Sequence, residues 1–318
     1  MSKKIQFIFN PSELGAGTFG ASLGPAAIQT AARKAKNDFF GRFTILEIDH
    51  KNYLLDRPTS FQYAKRIDGV KEVASDLSKT VTYALKNETF PFVVSGDHSS
   101  GAFTIASIRK AFPTKRLGVI WIDAHGDLHS PFTTPSGNLH GMPLAIALGE
   151  DNLDLQKNEP DERTKNQWRD LQNLAGVFPM INPTDLIFVG VRDTEKEEDF
   201  LIEKHEIRNI RVEEVRKNGV EHSLSEINQR LKNCDILYVS FDVDSMDPDQ
   251  TSYGTGTPVK NGLTIKEVHS LLVGLAKDTR TTCIELVEVN PCLDDKVNKM
   301  AEVAFELIQS IAQTIEKN

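Results

Sequence analysis

Apolar positions along the chain gather in short, nearly unbroken runs bounded by polar turn residues: KIQFIF, RFTILEI, PFVVSG, LGVIWID, DLIFVGV, DILYVSFDVD and TCIELVEV. Runs of this length without strict alternation are expected of parallel strands covered on both faces. Between them lie segments such as GPAAIQTAARKAK and RIDGVKEVASDLSKTVTYALKN, where apolar residues recur every three or four positions, the spacing of an amphipathic helix. This order of strand, helix and strand predicts an α/β fold. A single domain over residues 1–318 is expected, with an open, mostly parallel sheet, helices on both faces and the closing helix DKVNKMAEVAFELIQSIAQTIEKN. Residues 150–173 are polar and of mixed charge, and they read as a surface insertion, solvated and without chemistry.

Several of the apolar runs end in acids or imidazoles. FVVSG leads into Asp97 and His98, VIWI into Asp123, His125 and Asp127, IFVGV into Arg192 and Asp193, LYVSF into Asp242 and Asp244, and CIELV into Glu288. Ligands of open α/β sheets bind outside the carboxyl ends of the strands, so these groups are expected to share one crevice. Carboxylates held that closely cannot all remain ionised without counter-charge. Four aspartates (123, 127, 242 and 244) with two neutral histidines (98 and 125) carry a charge of −4, which two divalent cations balance. Alternate residues of an extended segment point the same way, so Asp123, His125 and Asp127 can serve one centre. A mixed carboxylate and imidazole set suits Mn(II) first, with Co(II) plausible. Two such ions can share a hydroxide and present it to an electrophile at neutral pH, which makes hydrolysis the implied reaction class.

Composition narrows the picture. Hydrophobic residues make up 39% and charged residues 26% of 318, ordinary values for a globular protein, and the net charge of −8 argues against a nucleic-acid partner. No run reaches the roughly 18 apolar residues of a membrane span, and the first residues carry no signal-cleavage pattern, so a cytoplasmic location is expected. Cys234, Cys283 and Cys292 form no CxxC pair and read as bystander thiols. GAGTFG (15–20) matches the GxGxxG dinucleotide fingerprint, but NPSEL separates it from its strand and the following acids come too late. A loop leading to a helix fits it better. His50, His205, His222 and His269 lie outside the acidic set and are expected at the surface or in packing.

The motifs SGDHS (95–99), DAHGD (123–127), SGNLHGMP (136–143), SFDVDSMDP (240–248), GTGTPV (254–259) and EVNP (288–291) together resemble the ureohydrolases, arginases most closely, over nearly the whole chain. That resemblance implies an arginase-like three-layer fold and a binuclear manganese site. One ion would be held by His98, Asp123, Asp127 and Asp242, the other by Asp123, His125, Asp242 and Asp244. It also implies that His140 shuttles a proton and that Glu288 receives a guanidinium group. With Asp127, these two are the catalytic candidates. Ser136 and Asn138 match positions that bind the α-carboxylate of arginine, and VRDTEKEED matches the loop that meets its α-amino group. The products would be L-ornithine and urea, and trimers or hexamers are implied.

Three positions depart from the family pattern. Ser95 replaces a glycine, His129 stands where an asparagine usually helps hold the carboxylate, and Glu195 stands where an aspartate is usual, while Glu198 keeps its place. His129 and Glu195 keep a related ureohydrolase open, an agmatinase or guanidinobutyrase. A dinuclear phosphoesterase would need cations near its phosphate, whereas this crevice is rich in acids and suits a cationic small-molecule substrate. A non-catalytic metal-binding protein would have no use for His140 and Glu288.

Overall fold

A computed structural model describes residues 3–318. Among them eight strands form one sheet: β1 (Lys4–Asn10), β2 (Thr44–Glu47), β3 (Thr89–Ser95), β4 (Leu117–Ile122), β5 (Leu186–Val189), β6 (Arg208–Ile210), β7 (Ile236–Asp242) and β8 (Thr281–Val287). Their order is β2-β1-β3-β8-β7-β4-β5-β6 and every pairing is parallel. The seven apolar runs are strands, and the sheet is wholly rather than mostly parallel. β6 has no counterpart among the runs, because its three residues include Arg208 and Asn209, which sit half-buried at the sheet's edge.

The helices are α1 (Gly24–Lys34), α2 (Ile67–Lys86), α3 (Ser100–Ala111), α4 (Pro143–Leu148), α5 (Glu162–Gln172), α6 (Lys196–Lys204), α7 (Val212–Asn218), α8 (Val220–Arg230), α9 (Ile265–Lys277) and α10 (Lys299–Lys317). Among the described residues no helix is long and apolar enough to cross a membrane.

Two cores flank the sheet, giving three layers. Successive strand residues face opposite ways, so Ile120 and Ile122 enter the core beneath α1, α9 and α10 with Ile28, Leu271 and Phe305. Val119 and Trp121 enter the other, with Val73 and Leu77 of α2, Phe103 of α3 and Leu144 of α4. Every residue of β4 and β7 is buried. This double coverage explains why those strands read as continuous apolar runs.

The segment 150–173 carries α5, capped where Asp161 accepts Thr164 N–H at 2.8 Å. Trp168 and Leu171 on one face of α5 are buried. The residues before α5 turn inward. Asn158 Nδ2 donates to the carbonyls of Pro131 (3.2 Å) and Thr134 (2.7 Å), and Lys157 Nζ lies 2.8 Å from the buried Glu197. Part of this charged segment therefore supports the loop 129–138.

Candidate active site

The four central strands, β3, β8, β7 and β4, are adjacent, and their carboxyl ends deliver His98, Glu288, Asp242 with Asp244, and Asp123 with His125 and Asp127. His98, His125, Asp127, Asp242 and Asp244 line a cleft of about 200 Å³ whose walls also include His129, Ser136, Asn138, His140, Glu195, Glu198 and Thr257, with Asp123 and Glu288 behind them.

At the floor, His98 Nδ1 lies 2.9 Å from Asp123 Oδ2, 3.2 Å from Asp127 Oδ2 and 3.2 Å from Asp242 Oδ2. His125 Nδ1 lies 3.0 Å from Asp244 Oδ2 and 3.5 Å from Asp123 Oδ1. The donor atoms fall into two groups, His98 with Asp123 and Asp127, and Asp123 with His125 and Asp244, each compact enough to hold one ion. Asp123 belongs to both. Asp242 turns its Oδ2 toward the first group while its Oδ1 accepts Asp244 N–H at 2.8 Å.

Burial and mutual proximity set the protonation of this cluster. Burial, reinforced by the charge of Asp123, pushes Asp127 up to about 7. Burial and the charges of Asp244 and Asp123 hold Asp242 well above the carboxylate range, and burial raises Asp244 as well. For Asp123 burial acts upward, but the adjacent imidazoles of His125 and His98 prevail and hold it below the ordinary carboxylate range. Burial disfavours the charged form of His98 and His125, yet their carboxylate partners outweigh it and hold both imidazoles well above their ordinary range. Protons thus occupy a site whose charge divalent cations would otherwise balance.

The residues present fit such cations. His98 Nδ1 and Asp127 Oδ2 are buried without a hydrogen-bond partner, and buried polar atoms left so in a native fold call for a ligand. Their supports are already built. His98 Nε2 meets Ser240 Oγ at 2.7 Å, and its ring stacks on Trp121 with centroids 4.1 Å apart and planes 5° from parallel. Trp121 Nε1 donates to Asp123 Oδ2 at 3.0 Å, and Thr257 Oγ1 to Asp244 Oδ2 at 3.1 Å. Gly101 makes room for the stack, since a Cβ there would lie 2.5 Å from the Trp121 ring. Sequence reasoning missed Ser240, Trp121 and Thr257. The available signal for Ser240 was a lone hydroxyl inside an apolar strand, which must find a partner.

Asp127 and Glu288 adopt φ of 53° and 66°. This left-handed region costs a non-glycine residue of order 1–3 kcal/mol, and such strain clusters at functional sites. Glu288 Oε1 accepts His98 N–H at 2.9 Å and lies 3.4 Å from His140 Nδ1. Burial opposes a charged His140, but Glu288 prevails and raises it above its ordinary range.

The GAGTFG segment is a loop, and it packs against this end of the site. Gly15 N–H donates to the buried Asp97 at 3.0 Å, while Gly15 O accepts His140 N–H at 3.0 Å. Asp97 itself is pushed up to about 6, by burial first and then by Glu288.

Toward the mouth, His129 does not join the floor cluster. Its Nε2 lies 2.7 Å from Glu195 Oε2 and 3.8 Å from Glu198 Oε2, and its Nδ1 meets Thr133 Oγ1 at 3.1 Å. Glu198 is raised by burial and accepts Leu128 N–H at 3.1 Å. Ser136 Oγ accepts Asn138 N–H at 3.1 Å. Ser95 also has a partner: its Oγ donates at 2.7 Å to Glu285, a fully buried carboxylate that also accepts from Ser100 Oγ and Tyr238 OH.

Comparison with known proteins agrees with this geometry. Residues 3–313 match the model of the arginase family. The arginase of Brevibacillus brevis is 35% identical over 315 residues, and that of Bacillus subtilis 32% over 311, each match covering 98% of both chains. The solved arginase of Bacillus caldovelox superposes with a TM-score of 0.81 at 33% identity, covering 97% of this chain and 98% of that one. Carboxyl-end acids from four adjacent parallel strands, a cluster built to hold metal and full-length similarity lead to one conclusion: the chain is a hydrolase of the arginase family.

Proposed function

We propose that this protein hydrolyses the guanidinium group of L-arginine to L-ornithine and urea with two Mn(II) bound, Co(II) being the alternative ion. The observation that carries the reading is the meeting, at one cleft, of two metal-sized His/Asp groups with His140, whose Nδ1 lies 3.4 Å from Glu288 Oε1. His98, Asp123, Asp127 and Asp242 would hold one ion, and Asp123, His125, Asp242 and Asp244 the other. When bound, the ions supply a water activated for attack at neutral pH.

The chain's own residues do the rest. Glu288 offers a carboxylate to the planar guanidinium and aligns its carbon over the floor of the cleft. Water adds to that carbon, the bond to the δ-nitrogen breaks, and the departing amine needs a proton. His140 gives it in this reading, because Glu288 raises its pKa above the ordinary range and so favours the imidazolium. Ser136 and Asn138 take the α-carboxylate, and Glu195 and Glu198 face the α-amino group.

A second reading rests on His129, both of whose ring nitrogens are engaged by Thr133 and Glu195. An end of the cleft so occupied favours a guanidine without the amino-acid end, such as agmatine or guanidinobutyrate. Urea release from all three substrates with manganese, and again with cobalt, decides between them. Preference for arginine supports the first reading, and preference for either of the others overturns it.

A further inference from the structure

The cleft is lined by acids, imidazoles and uncharged polar groups, and among the described residues no lysine or arginine stands in its walls. A substrate α-carboxylate entering there meets the field of Glu195, Glu198 and Asp193 and needs a cation close by. Lys65 lies just outside the wall, in the turn before α2. Its Nζ is 3.3 Å from Asn138 Oδ1, and its backbone N–H donates to Gly137 O at 2.7 Å. Gly137, at φ 77°, is seated so tightly that a Cβ would fall 2.2 Å from Gln62 O, so residues 62–65 and the loop bearing Ser136 and Asn138 are held face to face.

Lys51 and Lys71 pair with Asp49 (2.6 Å) and Asp170 (2.8 Å). Among the described residues, Lys65 has only the Asn138 amide oxygen as a side-chain partner. An ammonium donates and cannot accept, so it binds that oxygen and leaves the amide N–H groups for an anion.

We propose that Lys65 is a specificity residue: its ammonium turns the Asn138 amide and supplies the counter-charge for the α-carboxylate of an amino-acid guanidine. The inference rests on the arginine reading above.

The test uses the full-length, manganese-loaded protein with Lys65→Met and Lys65→Arg, assayed on L-arginine and agmatine. In Lys65→Met, KM for arginine rises by roughly tenfold or more, the scale of a hydrogen bond to a charged group. The loss falls on KM rather than kcat, agmatine is affected far less, and Lys65→Arg recovers most of the arginine affinity. Equal losses on both substrates, or no change on either, overturn the proposal. The arginine reading is judged separately by the unaltered protein: if it turns over agmatine but not arginine, both fall. If it prefers arginine while Lys65→Met leaves the substrate ratio untouched, only the Lys65 proposal falls.

Discussion

Replacing Ser240 with alanine removes one hydroxyl from the middle of β7 and tests whether the floor of the cleft is held from behind. Ser240 is fully buried and lies in register with Trp121 of β4 and Glu285 of β8. Its Oγ is 2.7 Å from His98 Nε2. Accepting that N–H leaves Nδ1 as the ring atom facing Asp123, Asp127 and Asp242, and the Trp121 stack fixes the ring plane. Alanine fits the space but strands a buried donor, at a cost of about 1–3 kcal/mol. Part of that cost lowers folding stability. With an unfolding entropy near 0.7 kcal/mol/K for a chain of this length, the whole of that cost would lower Tm by about 4 °C at most, and a part of it by less.

The rest appears as a less well-oriented imidazole, and loss of such a supporting bond lowers metal affinity by about 10–100-fold. Isothermal titration of the metal-free protein with Mn(II), beside thermal unfolding, reads both quantities. A variant that loses Tm but keeps the parent's manganese affinity would show that Ser240 only fills the core, and the argument that β7 orients His98 would be wrong.

Metal binding is expected to be proton-linked. In the metal-free protein Asp127 is pushed up to about 7, so its protonated form contributes stability at low pH that is lost as pH rises through about 7, while a bound cation requires the carboxylate. Apparent Mn(II) affinity should therefore climb by about tenfold or more per unit between pH 5 and 7; titration at pH 6 in buffers of different ionisation enthalpy should show proton release, and none would contradict the assignment. Chelation of manganese present at 100 times its Kd should lower Tm by about 4 °C for each occupied site. Asn158→Ala removes both bonds to the Pro131 and Thr134 carbonyls and should raise KM for arginine by about five- to thirtyfold with manganese affinity unaltered, as kinetics and calorimetry would show. Gly17→Ala puts a Cβ 2.8 Å from Asn138 Nδ2, and should raise the same KM several-fold while the circular dichroism spectrum stays that of the parent.

Periodicity revealed elements, and the crevice rule revealed where their ends converge. Neither revealed the strand order, because nothing local in TCIELVEV says that β8 inserts between β3 and β7. That insertion is what brings Glu288 beside His98. Supporting residues stayed hidden for a related reason: Ser240 and Trp121 lie within apolar runs and Thr257 in a loop, and only tertiary contact separates them from ordinary core or turn residues. Asn158 shows the converse. The charge of residues 150–173 suggests a solvated face, but composition cannot say which side-chain amide turns inward to hold the loop 129–138. GAGTFG forms a loop, and its contacts with Asp97 and His140 join positions more than 80 residues apart in the chain.

The run from Asp123 to His129 shows where a period of two stops being a guide. Alternate residues share a face only while the backbone stays extended. Asp123, His125 and Asp127 all turn toward the floor, but Asp127 has φ 53°, and a left-handed residue ends the alternation. Beyond it the chain is tied elsewhere, with Leu128 N–H bonded to Glu198 and His129 N–H to Gly141 O. His129 is thereby carried to the mouth, against Glu195, although spacing alone would place it with the ligands. Under the proposed function, the left-handed turn at Asp127 separates a half of the motif that would hold metal from a half that would face substrate. On the proposed reading a residue of the first half answers to the charge of a cation, and one of the second to the shape and charge of the substrate, so an exchange at His129 acts on substrate choice while the six candidate ligands keep their geometry.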